Sequence, residues 1–292
     1  MVNKEELAGL KKQLKREQRD IKVHKFTKNK LAMAGAIITF LMIFFAIFAP
    51  VLAFQGSLNM TLANRIQAPS MRHIFGTDTF GRDLFARVVY GARVSMGVGA
   101  SVAAISLVIG VIIGLYSSYY KTADAILMRI CDGLKAIPAI LLAIALMAVL
   151  GASTKNVILA LSIVYIPDIA RITRSAALIS KEQTYVEAMK SLGASSNRII
   201  WCHILPNVLS PVIVQASFIF ATAIIQEASL SFLGVGVPVP APSWGNILYE
   251  AKTVIFKAWW MVLYPGVFTA ASVMGLNMLG DGIREIMDPM SN

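Results

Sequence analysis

The sequence predicts an all-α membrane protein with six transmembrane helices, and three observations carry that prediction. Uncharged apolar runs occupy residues 31–54, 94–120, 136–154 and 258–280, each near the ~20 residues that carry a helix across a bilayer. Only 15% of the 292 residues are charged and 57% are hydrophobic, whereas a soluble domain carries about a quarter charged residues. The basic residues are also unevenly placed: ten of the 27 Lys and Arg lie in residues 1–30, directly before the first apolar run.

That basic segment explains much of the net charge of +11 without nucleic acid. It reads as a cytoplasmic flank held inside by its positive charge and touching anionic lipid. Leu7, Leu10, Leu14 and Ile21 fall on one side of a helical wheel, which suits an amphipathic helix on the membrane surface as well as it suits a solvated tail. The segment and its apolar run are too long for a cleaved signal peptide.

The first span covers 31–54, and a polar loop at 55–93 follows. The second, 94–119, carries small residues at Ser95, Gly99 and Ala103, then Ser106, Gly110 and Gly114. This spacing lets helix backbones approach closely and places the helix inside a bundle. A mixed connector at 121–135 leads to a third span at 136–150, with Pro138 near its start, and a fourth at about 156–173, interrupted by Pro167-Asp168. The polar stretch 181–206 leaves the membrane. The fifth span, 208–233, is followed by a Gly/Pro-rich loop, a sixth span at 259–279 and a tail at 281–292, so residues 94–280 form a five-helix core after the first helix.

Six spans put both termini on one side. With the amino end inside, nineteen Lys and Arg fall on the cytoplasmic side and eight outside, which sets the orientation. Trp259, Trp260 and Tyr264 then sit at the outer start of the last span, where interfacial aromatics belong.

Residues 184–207 are therefore cytoplasmic. They suit a helix whose apolar face is Tyr185, Ala188, Met189 and Leu192, capped by Gly193 in a left-handed conformation, then a second short helix capped by Ser195 or Ser196 and stopped by Pro206. Periodicity alone leaves this an ordinary amphipathic connector. Glu187-Ala188, Gly193 and Leu205-Pro206, however, resemble the EAA loop of binding-protein-dependent ABC importer permeases. Met189 stands where that loop usually has a second alanine, and His203 where it has isoleucine. The resemblance implies that this loop docks into a groove of a separate ATPase subunit.

A second set of motifs is similar to the C-type permease subunits of dipeptide, oligopeptide and nickel importers. It comprises Gly76-Thr77-Asp78, Gly81-Arg82-Asp83, Arg87, Tyr90-Gly91 and Arg93-Val94-Ser95. It continues with 228–236 (ASLSFLGVG), 242–245 (PSWG), 279–284 (LGDGIR) and Asp288-Pro289. The resemblance implies the type I ABC importer permease fold, with one amino-terminal helix before a five-helix core. It also implies a homologous second permease subunit, two cytoplasmic ABC ATPases that hold ATP and magnesium, and an extracytoplasmic solute-binding protein. Dipeptides and oligopeptides are the expected substrates, with nickel or another metal chelate as the alternative. Read from the residues themselves, the Gly-rich turns and alternating Asp and Arg of 76–87 suit an internally paired corner at the outer face.

Within the spans, ionisable residues are candidates for function because burying them is costly. Glu227, beside Gln226, is a candidate for the substrate pathway or for pairing with a neighbouring helix. Asp168 and Arg171, one turn apart, are expected to pair with each other. Pro265-Gly266 is expected to kink the last span. There is no Gly-Lys dipeptide and hence no phosphate loop with its lysine. The histidines (24, 73 and 203) and cysteines (131 and 202) show no metal-binding spacing. The chain is expected to bind no cofactor and to hydrolyse no ATP itself. A stand-alone secondary transporter is the competing class, but no internal repeat supports it.

Overall fold

The computed structural model describes residues 24, 26–53 and 56–287; the amphipathic positions Leu7 to Ile21 and the Asp288-Pro289 pair lie outside them. In chain order the helices are α1 (Lys30–Leu52), α2 (Leu84–Tyr119), α3 (Lys121–Lys135), α4 (Ala139–Leu150) and α5 (Thr154–Lys181), then α6 (Thr184–Ser191), α7 (Ser196–Phe232), α8 (Trp244–Ala251) and α9 (Trp260–Met287). Among the described residues there is no β-strand, only an isolated bridge between Thr77 and Asp83.

Among the described residues, five helices, α1, α2, α5, α7 and α9, are long and apolar enough to cross a membrane, and α3 with α4, bent by 94°, passes that test only as a pair, as a broken span or a re-entrant loop. The expected third span is thus not one helix. The twelve residues of α4 reach only ~18 Å at 1.5 Å per residue, short of the ~30 Å hydrocarbon core. Pro138 causes the break, because it lacks an N–H and pushes the preceding residue away from helical geometry. Other boundaries also move. The second helix begins at Leu84, inside the expected outer loop, because the Asp83 carboxylate caps it by accepting from the Ala86 N–H at 2.8 Å. Pro167 does not interrupt α5, which runs on to Lys181, and α9 continues unbroken through Pro265 and Gly266. A proline inside a membrane helix removes one hydrogen bond, which neighbouring groups can compensate.

The bundle is organised around α2, whose Ser95, Gly99, Ala103, Ser106, Gly110 and Gly114 are all buried. A Cβ on Gly110 would stand 2.6 Å from the Ile169 Cβ, and one on Gly114 would stand 2.5 Å from the Ala170 carbonyl. These contacts bring α2 and α5 into backbone contact. Gly99 does the same against Ile224 of α7, at 2.8 Å. A separate small-residue seam joins α1 to α9, where a Cβ on Gly35 would meet the Leu279 amide at 2.6 Å.

Apolar packing divides into two clusters. One joins α2, α4, α5, α6 and α7 through Leu115, Leu161, Ile169, Val186, Ile199 and Ile204. The other joins α1, α2, α7, α8 and α9 through Met42, Leu84, Ile224, Trp244 and Met261. The Lys181 ammonium donates to the Ser118 and Tyr119 carbonyls at 3.0 and 3.3 Å, so the ends of α2 and α5 meet beside α6. The 36 residues of α2 separate that end of the molecule from the 76–87 corner by ~54 Å.

Charged residues at the α6 end behave differently from the sequence expectation. Asp168 and Arg171 do not pair with each other; both turn from α5 towards α3. Lys135 reaches Asp168 at 2.7 Å, Arg171 reaches Asp132 at 2.7 Å, and Arg174 reaches Asp124 at 2.7 Å. A helix lying alongside with opposite charges offers straighter geometry than a neighbour one turn away. This ladder holds α3 against α5.

Candidate functional site

The expected coupling segment forms a short helix, a turn, and the start of the fifth long helix. α6 ends in a Schellman motif: the Gly193 N–H donates to the Lys190 carbonyl at 2.9 Å and the Ala194 N–H to the Met189 carbonyl at 3.0 Å. Gly193 has φ +75°, a conformation that costs glycine little and a side-chain-bearing residue more. The turn is exposed at Gly193, and Glu187 and Ala188 are exposed on the helix before it.

The apolar face of α6 differs from the helical-wheel expectation. Val186 is fully buried in the apolar cluster that includes Ile199 and Ile200, and Met189 is half-buried against that cluster, while Ala188 and Leu192 are exposed, Leu192 at 78%. The inward anchor is therefore a β-branched residue that the wheel left out. The outward residues leave apolar surface flanked by exposed Glu187, Lys190 and Arg198.

Pro206 does not stop a second short helix. α7 starts at Ser196 and runs through Leu205 and Pro206 as one helix, by way of a π-helical turn at Ile199–Ile204. There the Leu205 N–H reaches the Ile200 carbonyl, five residues back. The wide turn accommodates the proline, which sits within the first two residues of the regular helix that follows. Leu205 is half-buried and Pro206 exposed, and Trp201 and Cys202 of the wide turn are also exposed. Movement of the segment is thus joined directly to α7.

At the opposite end, the 76–87 motif closes a buried ion cluster. Asp78 accepts from the backbone of Phe80 and Arg82 at 2.8 and 2.9 Å, and pairs with Arg82 Nε at 2.5 Å and Arg87 Nη1 at 2.9 Å. Glu250 of α8 completes the set, meeting Arg82 Nη2 at 2.5 Å and Arg87 Nη2 at 3.1 Å. All four side chains are at most 8% exposed, and two arginines balance two carboxylates. Charges taken out of water need such mutual pairing. Glu250 lies 168 residues from Arg82, and its only sequence signal is that it is the one charged residue in 234–251.

Asp83 does not join that cluster. One of its oxygens caps α2 and the other meets His73 Nδ1 at 2.8 Å. Thr77 is buried, donating to the Asn64 carbonyl at 2.5 Å, and its own carbonyl accepts from the Trp260 indole at 3.1 Å. Trp260 is therefore a buried anchor of this loop rather than an interfacial aromatic; Trp259 beside it is 53% exposed. Tyr264 stacks on Phe75 with ring centroids 3.9 Å apart. Gly81, at φ +72°, tolerates no side chain, since a Cβ would fall 2.0 Å from the Thr61 carbonyl. A Cβ on Gly76 would fall 2.6 Å from the Gln67 carbonyl.

Glu227 is fully buried between helices. It accepts from Ser95 of α2 and Ser231 of its own helix, both at 2.7 Å. Ser95 in turn accepts from the Trp244 N–H, and Ser231 from the Val237 N–H. The Trp244 indole reaches the Val88 carbonyl at 3.0 Å, and Asn246 holds the Val237 and Ala241 carbonyls. The 228–236 and 242–245 motifs thus build one joint between α2, α7 and α8, with Glu227 at its centre. Gln226 is half-buried, and its Oε1 has no partner among the described residues.

The chain is a helical membrane bundle with a buried ion-paired corner at one end and a short exposed helix joined to a long apolar helix at the other. The chain belongs to the family described as binding-protein-dependent transport system inner membrane component, whose model matches residues 106–290. Residues 20–69 match the N-terminal transmembrane domain of oligopeptide transport permease C. It is 45% identical over 263 residues to the dipeptide transport system permease protein DppC of Alkalihalophilus pseudofirmus, covering 90% of this chain and 86% of that one. It is 40% identical over 266 residues to the oligopeptide transport system permease protein OppC of Bacillus subtilis, covering 91% and 87%. Against the glutathione transport system permease protein GsiD of Escherichia coli it is 41% identical over 267 residues, covering 91% and 88%. In fold it is similar to the MetNI methionine ABC transporter in an inward-facing conformation, with TM-score 0.56 and 20% identity over 69% of this chain and 96% of that one. The fold is that of a type I ABC importer permease, multi-pass in the inner membrane.

Proposed function

We propose that this chain is one of two non-identical permease subunits of an ATP-driven importer of short peptides. Two cytoplasmic ATPases carry the nucleotide and magnesium, and a solute-binding protein delivers substrate to the outer face. Residues 184–206 form the surface on which an ATPase pushes, with Glu187, Ala188 and Gly193 at the contact and Leu205 and Pro206 at the junction with α7. One observation carries this reading: an exposed helix closed by a Schellman turn leads into a single 37-residue helix that contains the wide turn. Force on α6 therefore has a continuous route into the membrane. Peptide as cargo is supported by the names of the relatives, which concern dipeptides, oligopeptides and glutathione.

Gly193→Trp tests the coupling role. A bulky residue at φ +75° is strained and stands on the exposed turn, so substrate-stimulated ATP hydrolysis by the reconstituted assembly should be lost while membrane insertion is retained. Hydrolysis at the unsubstituted rate would count against the reading. Uptake of tritiated alanyl-alanine, competed with a nickel chelate, separates peptide from metal cargo.

A further inference from the structure

The junction between α6 and α7 is held by one phenol. The Tyr185 hydroxyl of α6 lies 2.5 Å from Ser180 Oγ at the end of α5, 3.3 Å from the His203 carbonyl on the wide turn, and 3.0 Å from Asn207 Nδ2. Asn207 also donates to the His203 carbonyl, at 2.7 Å. One assignment of hydrogens uses every group. Ser180 donates to the phenol oxygen, the phenol donates to the His203 carbonyl, and the two Asn207 amide hydrogens go to the phenol oxygen and that carbonyl. The phenol oxygen then accepts two hydrogen bonds, as its two lone pairs allow. Three helices thus converge on a single hydroxyl, at the place where α7 leaves α-helical geometry.

The position matters mechanically. Val186 seats α6 by apolar contact, which is non-directional and lets a short helix slide. The hydrogen bonds of Tyr185 are directional and specify where along the wide turn α6 stands. Wide helical turns concentrate at functional sites and are local departures from regular winding. A displaced α6 with this link intact takes the His203 carbonyl with it; without the link, only the short turn and apolar contacts join α6 to α7, and less of the motion passes.

We propose that Tyr185 is the positioning residue that passes displacement of α6 into the π-helical turn and so into α7. The inference rests on the coupling role of residues 184–206, and it separates docking of an ATPase from transmission of its motion. Tyr185→Phe keeps the ring and removes only the hydroxyl. Asn207→Ala removes the second donor to the same carbonyl, and the two substitutions together should be no worse than either alone, because they break one unit.

The test uses the whole assembly in proteoliposomes, with Cys131 and Cys202 replaced by serine and Ile225→Cys on α7 as an alkylation reporter. With Tyr185 present, the alkylation rate at residue 225 should differ between the nucleotide-free and the ATP-vanadate-trapped states. In Tyr185→Phe the ATPases should stay bound and hydrolyse ATP within about twofold of the parent rate. The difference at residue 225 should shrink at least about fivefold, the lower range of measured coupling between linked sites. An unchanged difference in Tyr185→Phe overturns the proposal. So does an absent difference when Tyr185 is present, and so does loss of the ATPases from the assembly, which would make Tyr185 a docking residue. If Tyr185→Phe does not insert, Ser180→Ala and Asn207→Ala carry the same test with the same outcomes. Undiminished substrate-stimulated hydrolysis in Gly193→Trp would instead defeat the coupling role itself. Loss there with full transmission in Tyr185→Phe would defeat this inference alone.

Discussion

Glu227 shows how surroundings bear on what a residue type suggests. An isolated carboxylate in a membrane helix suggests contact with a substrate amine, yet its two oxygens are taken by Ser95 and Ser231, both at 2.7 Å. The chemistry is that of a joint. Gln should serve there, because its amide offers both an acceptor and a donor and the serine hydroxyls can rotate to match. Leu would strand two buried hydroxyls and should cost about 1–3 kcal/mol. Thermal unfolding of the purified protein in detergent should therefore leave Glu227→Gln near the parent and lower Glu227→Leu. Loss of uptake in Glu227→Gln at unchanged stability would return the residue to the pathway.

Among elements, the 76–87 corner carries the most buried ion pairs of the described residues. Asp78, Arg82, Arg87 and Glu250 tie the loop before α2, α2 itself and α8 into one unit. Removing one member leaves charge buried and unmatched, which typically costs about 3–5 kcal/mol. Arg87→Leu should accordingly unfold well below the parent temperature. Arg87→Lys should fall between them, since an ammonium keeps the charge and loses the fork that spans Asp78 and Glu250. Equal stability of all three proteins would show that the cluster contributes nothing net. The α3–α5 ladder is a contrasting case. Its Arg171–Asp132 pair is 45% and 60% exposed, and exposed pairs are worth little in stability, so it orients α3 more than it stabilises the bundle.

At the scale of the molecule, the two ends differ in character. One end closes on buried ions and tightly packed glycines; the other carries an exposed short helix on a wide turn. In the proposed orientation, argued from the uneven Lys and Arg distribution, the second end faces the cytoplasm, and α2 spans the distance between the two. Met71, fully exposed in the outer loop, reports on this orientation. In intact cells a membrane-impermeant maleimide should label Met71→Cys and leave the native Cys202 unlabelled until the membrane is permeabilised. The reverse pattern would invert the topology and remove the coupling role with it.

The linear order of residues determined the membrane class, the order of the long apolar helices, the packing face of α2 and the capping role of Gly193. Each of these follows from local properties: apolar length, helical spacing of small residues, and the freedom of glycine at positive φ. It did not determine who pairs with whom. Glu250 meets Arg82 across 168 residues and Ser95 meets Glu227 across 132, and no periodicity encodes such a distance. Nor did it show that Val186 is the anchor of α6, that Asp168 and Arg171 turn to α3, or that the third crossing bends at Pro138. Those depend on which neighbour packs against each surface. Only the tertiary structure decided that the helix after Gly193 continues through Pro206 into the membrane, because the wide turn that absorbs the proline packs its isoleucines into the same apolar cluster as Leu115, Ile169 and Val186 of other helices.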